Sequence, residues 1–232
     1  MNNLKNVLIL IGSPKAQRSA SNNFASYLED KFKLKGVETE KTYIVRHQKP
    51  EKLQKLVEKA SAYELIIMVN PLYIDSIPAI TINFMEQFCI YKSSIIETQK
   101  PKKQRLLAIF NSGFPEPHHN DTADGMCENF AHQAKMEWIG GITIGMGAAF
   151  ESRSVKDSGG MSRNLRKGMD IIVDSVSKND HVPHEAMQIA STPLMPLFLA
   201  KWGMRFFGSR MWKSQVKDKS VIKKMYDRPY EI

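Results

Sequence analysis

The stretch VLILIGSPKAQRSASNN, residues 7–23, decides how this chain is read. Val7 to Ile11 form an unbroken apolar run, as expected of a strand buried on both faces. The chain leaves that run through Gly12 and Pro14. It then spends three serines, a lysine, an arginine and two asparagines before its first helical pattern. Gly12 permits a sharp exit. Ser13, Ser19 and Ser21 offer hydroxyls, Lys15 and Arg18 offer charge, and Ser21 or Asn22 can cap a helix starting near Asn23. The loop is either a capped polar surface turn or a cradle for an anion, since helix N-termini carry free N–H groups and partial positive charge.

Apolar runs of strand length recur at residues 64–71, 105–113 and 138–147, and an alternating run at 37–45 reads as an edge strand. Helical spacing falls between them. It is marked by Phe24, Leu28 and Phe32; by Leu53, Leu56, Val57 and Ala60; and by Ile80, Phe84, Phe88 and Tyr91. Cys127, Phe130, Ala131 and Ala134 mark the next helix, and Leu165, Met169, Ile172, Val173 and Val176 the last. Strand and helix alternate five times, which predicts an α/β fold, a doubly wound parallel sheet with right-handed crossovers. The pattern breaks near Asn179. The expected division is a main domain over 1–180 and a basic, amphipathic helical extension over 181–232. In the extension Lys201, Arg205, Ser209 and Lys213 lie opposite Leu199, Trp202 and Phe206.

The chain has 232 residues and a formal charge of +9. Residues 201–232 hold nine Lys/Arg and three Asp/Glu, so most of that excess is in the tail. The main body is therefore not read as a nucleic-acid binder. Cys89 and Cys127 form no CxxC pair, which leaves no zinc or iron–sulfur ligand set, and both read as reduced thiols. The sequence lacks a run of membrane-spanning length, and the N-terminal apolar segment is too short for a secretion signal. A cytoplasmic location is expected.

In an open parallel sheet, ligands sit beyond the carboxyl ends of the strands, so the loops that follow strands carry the functional reading. The opening loop lacks the second glycine of a Walker A motif and the GxGxxG of a dinucleotide fold. GMGAAF at 145–150 comes after the last strand. An anion held at residues 12–23 would thus belong to a mononucleotide bound by hydroxyls and main-chain amides. In NPLYIDSIPAI, residues 70–80, Pro71 and Pro78 stiffen a loop whose Tyr73 suits one face of a planar ring. The plainer reading packs Tyr73 and Ile74 beneath the next helix. In NSGFPEPHHND, residues 111–121, Gly113 allows close approach and Phe114 is aromatic. His118, His119 and Asp121 lack a metal-binding spacing and read as solvated or lid residues.

Together, GSPKAQRSAS, PLYIDSIPA and NSGFPE resemble the three flavin-contacting loops of the flavodoxin-like NAD(P)H-dependent FMN reductases, a likeness extending over residues 5–178. The resemblance implies a flavodoxin-like five-stranded sheet and non-covalent FMN. It implies that Ser13, Lys15, Ser19, Ser21 and Asn22 surround the phosphate. Pro71, Leu72, Tyr73 and Ile74 would line the isoalloxazine, and Asn111, Ser112, Gly113 and Phe114 would meet its pyrimidine side. It further implies hydride transfer from NAD(P)H through flavin N5 to a quinone, a flavin or another small acceptor, with no single catalytic side chain named. A homodimer is expected. The tail is expected to pack on protein; the other reading lays it on anionic lipid. A flavodoxin-type electron carrier and a non-catalytic binding protein are the competing functions.

Overall fold

The structure is a computed structural model that describes residues 3–96, 103–203, 210, 213–214, 216–224 and 226–228. Five strands form one parallel sheet: β1 (Asn6–Ile11), β2 (Glu38–Tyr43), β3 (Leu65–Pro71), β4 (Arg105–Asn111) and β5 (Glu137–Ile144). Their order is β2-β1-β3-β4-β5. This is the doubly wound parallel sheet that the alternating pattern predicts, in the flavodoxin-like order that the resemblance implies. The crossover helices are α1 (Ala20–Leu34), α2 (Pro50–Ser61), α3 (Ala79–Ile96) and α4 (Asp121–Gln133), and α5 (Arg163–Ser177) follows β5.

Successive strand residues point to opposite faces, and the chain fills both with apolar side chains. Val7, Ile9 and Ile11 of β1, with Ile67, Val69, Leu107 and Ile109, pack under α1 and α5. Leu8, Leu10, Ile66, Met68, Leu106, Ala108 and Phe110 pack under α2, α3 and α4. Most helix positions expected from spacing are buried, among them Phe24, Leu28 and Phe32 on α1, Phe84 and Phe88 on α3, and Ile172 and Val176 on α5, whereas Ile80 and Tyr91 on α3 are only partly buried.

Two boundaries differ most from the sequence reading, and β4 also stops short of 113, at Asn111. The helix after the opening loop starts at Ala20, not near Asn23, because Ser19 takes the N-cap with extended backbone angles and accepts from the Asn22 amide. The last strand stops at Ile144, and residues Gly147–Phe150 turn as a 3-10 segment behind Met146, whose φ is 56°.

The described chain forms two compact units, Met1–Leu194 and Met195–Ile232. A further helix, α6 (His184–Ala190), lies beyond residue 180 yet belongs to the first, with Ala186, Met187 and Ala190 in the core beneath α5. The second unit contains α7 (Leu197–Gly203) and a helical turn at Ser220–Lys223. Leu199 and Trp202, expected on an apolar face, are exposed. Arg205, Phe206 and Ser209 fall outside the described residues. Among the described residues no helix is long and apolar enough to cross a membrane. Cys127 is buried and Cys89 half-buried, both as free thiols.

One half-buried carboxyl opposes the fold. Asp124, on α4, faces β5 so closely that a Cβ on Gly141 would lie 1.6 Å from its Oδ1. That oxygen is buried without a hydrogen-bond partner among the described residues. Burial, aided by the negative charges of Glu128 and Asp121, pushes its carboxyl from the ordinary 3.8 up to about 6. Below the ordinary value both folded and unfolded chains hold the proton. Between 3.8 and about 6 the folded chain keeps it and the unfolded chain releases it. Stability is therefore lost as pH rises through that window. Discounted for partial exposure, the penalty is about 1 kcal/mol. Asp124→Asn is expected to raise the urea-derived unfolding free energy by that amount at neutral pH and to leave it unchanged at acid pH below the window. An equal gain at both pH values would refute the titration argument.

Candidate functional site

The sheet order places its topological switch between β1 and β3, where the connections depart in opposite directions and the loops part. A cleft of about 180 Å³ opens there. It is lined by Ser13, Lys15, Ser19, Ala20 and Ser21 from the first loop and helix, by Pro71, Leu72 and Tyr73 after β3, and by Asn111, Ser112 and Gly113 after β4. Ala148 and Glu151 complete it. Ten of the thirteen residues singled out from sequence thus meet in one place.

The first loop is pinned tightly. Gly12 passes so near β3 that a Cβ there would sit 1.9 Å from Asn70 Oδ1 and 2.3 Å from Thr81 Oγ1. Thr81 Oγ1 itself donates to Asn70 Oδ1 at 2.9 Å. Side-chain-free passage at Gly12 brings the loop over the strand ends, and Ser13 N–H and O then enter a short turn with Ala16 N donating to Ser13 O.

The three serines, all buried, have different duties. Ser19 Oγ accepts from Asn22 N–H at 3.1 Å and donates to Ala16 O at 2.6 Å, so its single proton is spent inside the loop. Ser13 Oγ accepts from Lys15 N–H at 3.4 Å. Ser21 Oγ accepts from Asn111 Nδ2 at 3.0 Å. Each of the latter two retains a hydroxyl proton for a ligand. The Ala20 and Ser21 amides, first in α1, have no acceptor within the helix. Donors therefore converge on the end of the cleft where the helix begins.

Asn111 organises this end. Its Nδ2 also donates to Asn70 O at 3.0 Å, so one amide ties β4 to β3 and to α1. Lys15 Nζ lies 2.6 Å from Glu151 Oε1, and this carboxylate holds the lysine above its ordinary pKa. Glu151 is anchored from behind: Asn23 Nδ2 donates to Phe150 O and to Arg153 O, and the Phe150 ring packs 5.0 Å from Phe24.

The other end is apolar and more open. Tyr73 and Ser76 exchange two main-chain hydrogen bonds around Ile74 and Asp75, whose φ values are 50° and 57°. These positive angles describe a tight mirror-image turn that costs a β-branched residue dearly. Ile74 at its tip is 99% exposed, and Tyr73 is half-exposed. Leu72 N–H donates to Asn111 O at 2.8 Å, which locks this loop to the next. Phe114 stands half-exposed against His119, with ring centres 4.7 Å apart.

Three of the expected residues do not line the cleft. Asn22 faces outward from the helix start, accepting from Tyr43 Oη at 2.8 Å and donating to Gln17 O. Ile74 points into solvent, and Phe114 is drawn to His119. Ala20, Ala148 and Glu151 were missed. Position alone could have flagged the last two, since they follow the fifth strand as the other loops follow theirs. Among the described residues no three His, Cys, Asp or Glu side chains gather as a metal site.

A family model described as NADPH-dependent FMN reductase matches residues 5–113. No curated protein sequence matches the chain. Among solved structures, a flavone reductase superposes over 95% of this chain and 96% of its own, with TM-score 0.55 and 9% identity. RosB, in a crystal structure with bound 8-demethyl-8-formylriboflavin-5'-phosphate, superposes over 92% of this chain and 90% of its own, with TM-score 0.54 and 14% identity. An NAD(P)H:quinone oxidoreductase from Methanothermobacter marburgensis covers 71% of this chain and 96% of its own, with TM-score 0.50 and 14% identity. At such identities these likenesses speak to the fold. The family match spans β1 to β4, with the loops after β1 and β3 and the first residues of the loop after β4, so this part of the chain is similar to the NADPH-dependent FMN reductases.

Proposed function

We propose that this protein is an FMN-dependent oxidoreductase that takes a hydride from NAD(P)H and delivers the electrons to a small acceptor, a quinone or a free flavin. The observation that carries the reading is the pair of buried hydroxyls, Ser13 and Ser21, each with a proton unspent. They border the same cleft as Lys15 and the first amides of α1. Donors so placed suit a phosphate, which accepts and never donates when fully ionised. A cleft of about 180 Å³ is small for a whole flavin but open at the mouth, so it suits the phosphate and its polyol chain. Tyr73 and the uncrowded face of Gly113 would border the ring.

When bound, FMN would supply the hydride- and electron-accepting ring. The chain's part is to grip and orient. Ser13, Ser21, Lys15 and the helix amides hold the anionic end. Asn111 aims Ser21 by filling its acceptor lone pair. Pro71, Leu72 and Tyr73, fixed by the Leu72–Asn111 bond, set one wall, and Ser112 and Gly113 set another. Ile74 and Phe114 stand at the rim, where a second aromatic substrate would land, and Asn22 serves by steadying Tyr43.

The test is direct. Purified protein stripped of flavin is titrated with FMN, following quenching of flavin fluorescence, and NADPH or NADH is then added without oxygen. Stoichiometric binding and bleaching of the oxidised-flavin band are expected. Binding without bleaching by either nucleotide would favour a carrier of the flavodoxin type, and no binding would end the flavin reading.

A further inference from the structure

The cleft contains an anion of its own. Glu151 reaches Lys15 at 2.6 Å, and both side chains border the same cavity as Ser13 and Ser21. Lys15 is the one cation among the described residues lining that cavity, so its charge is already answered before any ligand arrives. Glu151 is not a loose surface side chain that chanced upon a lysine. The peptide behind it is clamped to α1 by Asn23, which donates on both sides of it, to Phe150 O and Arg153 O. Phe150 is fully buried against Phe24. The carboxylate is therefore presented to the lysine by a fixed piece of backbone.

We infer that Glu151 is a specificity-determining residue. It competes with the phosphate of the flavin for Lys15 and so sets how strongly the cleft prefers a phosphorylated flavin over riboflavin. This deepens the proposed function and rests on it. A phosphate dianion seated among Ser13, Ser21 and the α1 amides must share Lys15 with Glu151 and lie near the negative charge of that carboxylate. Riboflavin ends in a neutral hydroxyl and meets neither cost. The ion pair thus narrows the advantage that the phosphate gains from its hydroxyl and amide donors.

The test compares dissociation constants of FMN and riboflavin for wild-type protein and for Glu151→Gln, by fluorescence quenching and by calorimetry. The substitution keeps the shape of the side chain and removes its charge. Both pair members are about half-exposed, so a half-solvated ion pair is at stake, and FMN should bind about fivefold more tightly to the variant. Riboflavin affinity should stay within about twofold, since its neutral terminus gains no charge relief. The ratio of the two constants is the readout, because a merely structural role would move both together. Unchanged FMN affinity, or equal weakening of both ligands as expected if Glu151 bonds the polyol hydroxyls, would overturn the inference while leaving flavin binding intact. If neither protein binds FMN, the reading of the cleft itself fails and this one with it.

Discussion

Replacing Ser13 and Ser21 together by alanine is expected to weaken FMN binding about a hundredfold or more, because each hydroxyl bond to a charged oxygen contributes roughly 1.5–3 kcal/mol. Riboflavin affinity should change far less, which separates loss of phosphate contacts from damage to the cleft. Ser19→Ala supplies the contrast. Its hydroxyl donates to Ala16 O and accepts from Asn22 N–H, so it serves the loop and the helix cap. Losing that cap should cost about 1 kcal/mol of stability, seen in the urea midpoint. FMN affinity should move little. If Ser19→Ala costs as much affinity as Ser21→Ala, the division of labour among the three serines is wrong. Three serines in one loop look equivalent as residues; their hydrogen bonds make one structural and leave two with protons to give.

Gly168→Ala should destabilise the protein by about 3 kcal/mol, the upper part of the range for overpacking a tight site. Gly168 sits on α5 where α6 crosses. A Cβ there would lie 2.5 Å from Ala190 N and 2.6 Å from Ala186 O. These are main-chain atoms, so no side chain can swing aside. Relief requires α6 to lift, uncovering Ala186, Met187 and Ala190 and breaking the bond from Thr143 N–H on β5 to Ser191 Oγ at the end of α6. The expected signature is a lower urea midpoint, with new proteolytic cleavage between residues 184 and 191 under native conditions. An unchanged midpoint would mean that the α5–α6 crossing is looser than described.

The sheet and its helices were legible because period and burial agree. Runs such as Val7 to Ile11 are apolar at every position because both faces of a central strand are covered, and Phe24, Leu28 and Phe32 recur at helical spacing because one face of α1 is. The loops after β1, β3 and β4 were legible for a second reason: strand ends at a switch point are where ligands sit. What escaped was set by tertiary contact. Glu151 looks like any surface glutamate until Asn23 and Phe24 fix the backbone behind it. Ser19 and Ser21 cannot be told apart until Asn111, ninety residues away from Ser21, arrives to fill one lone pair. Ile74 reads as a residue to be buried, yet the turn that holds it leaves it in solvent with a φ of 50°. The α6 segment lies in the stretch read as a separate helical extension, and only the missing side chain at Gly168 marks where it docks on the main unit.

The two coverings of the sheet also differ in when a ribosome can complete them. The side under α2, α3 and α4 has all its helices once residue 133 has been made. The side under α1 waits for α5, which ends at Ser177 and whose last carbonyl receives the Leu4 amide. During synthesis the oily surface of Val7, Ile9 and Ile67 must therefore stay half-roofed while more than a hundred residues emerge, a span in which a nascent chain is most open to chaperones.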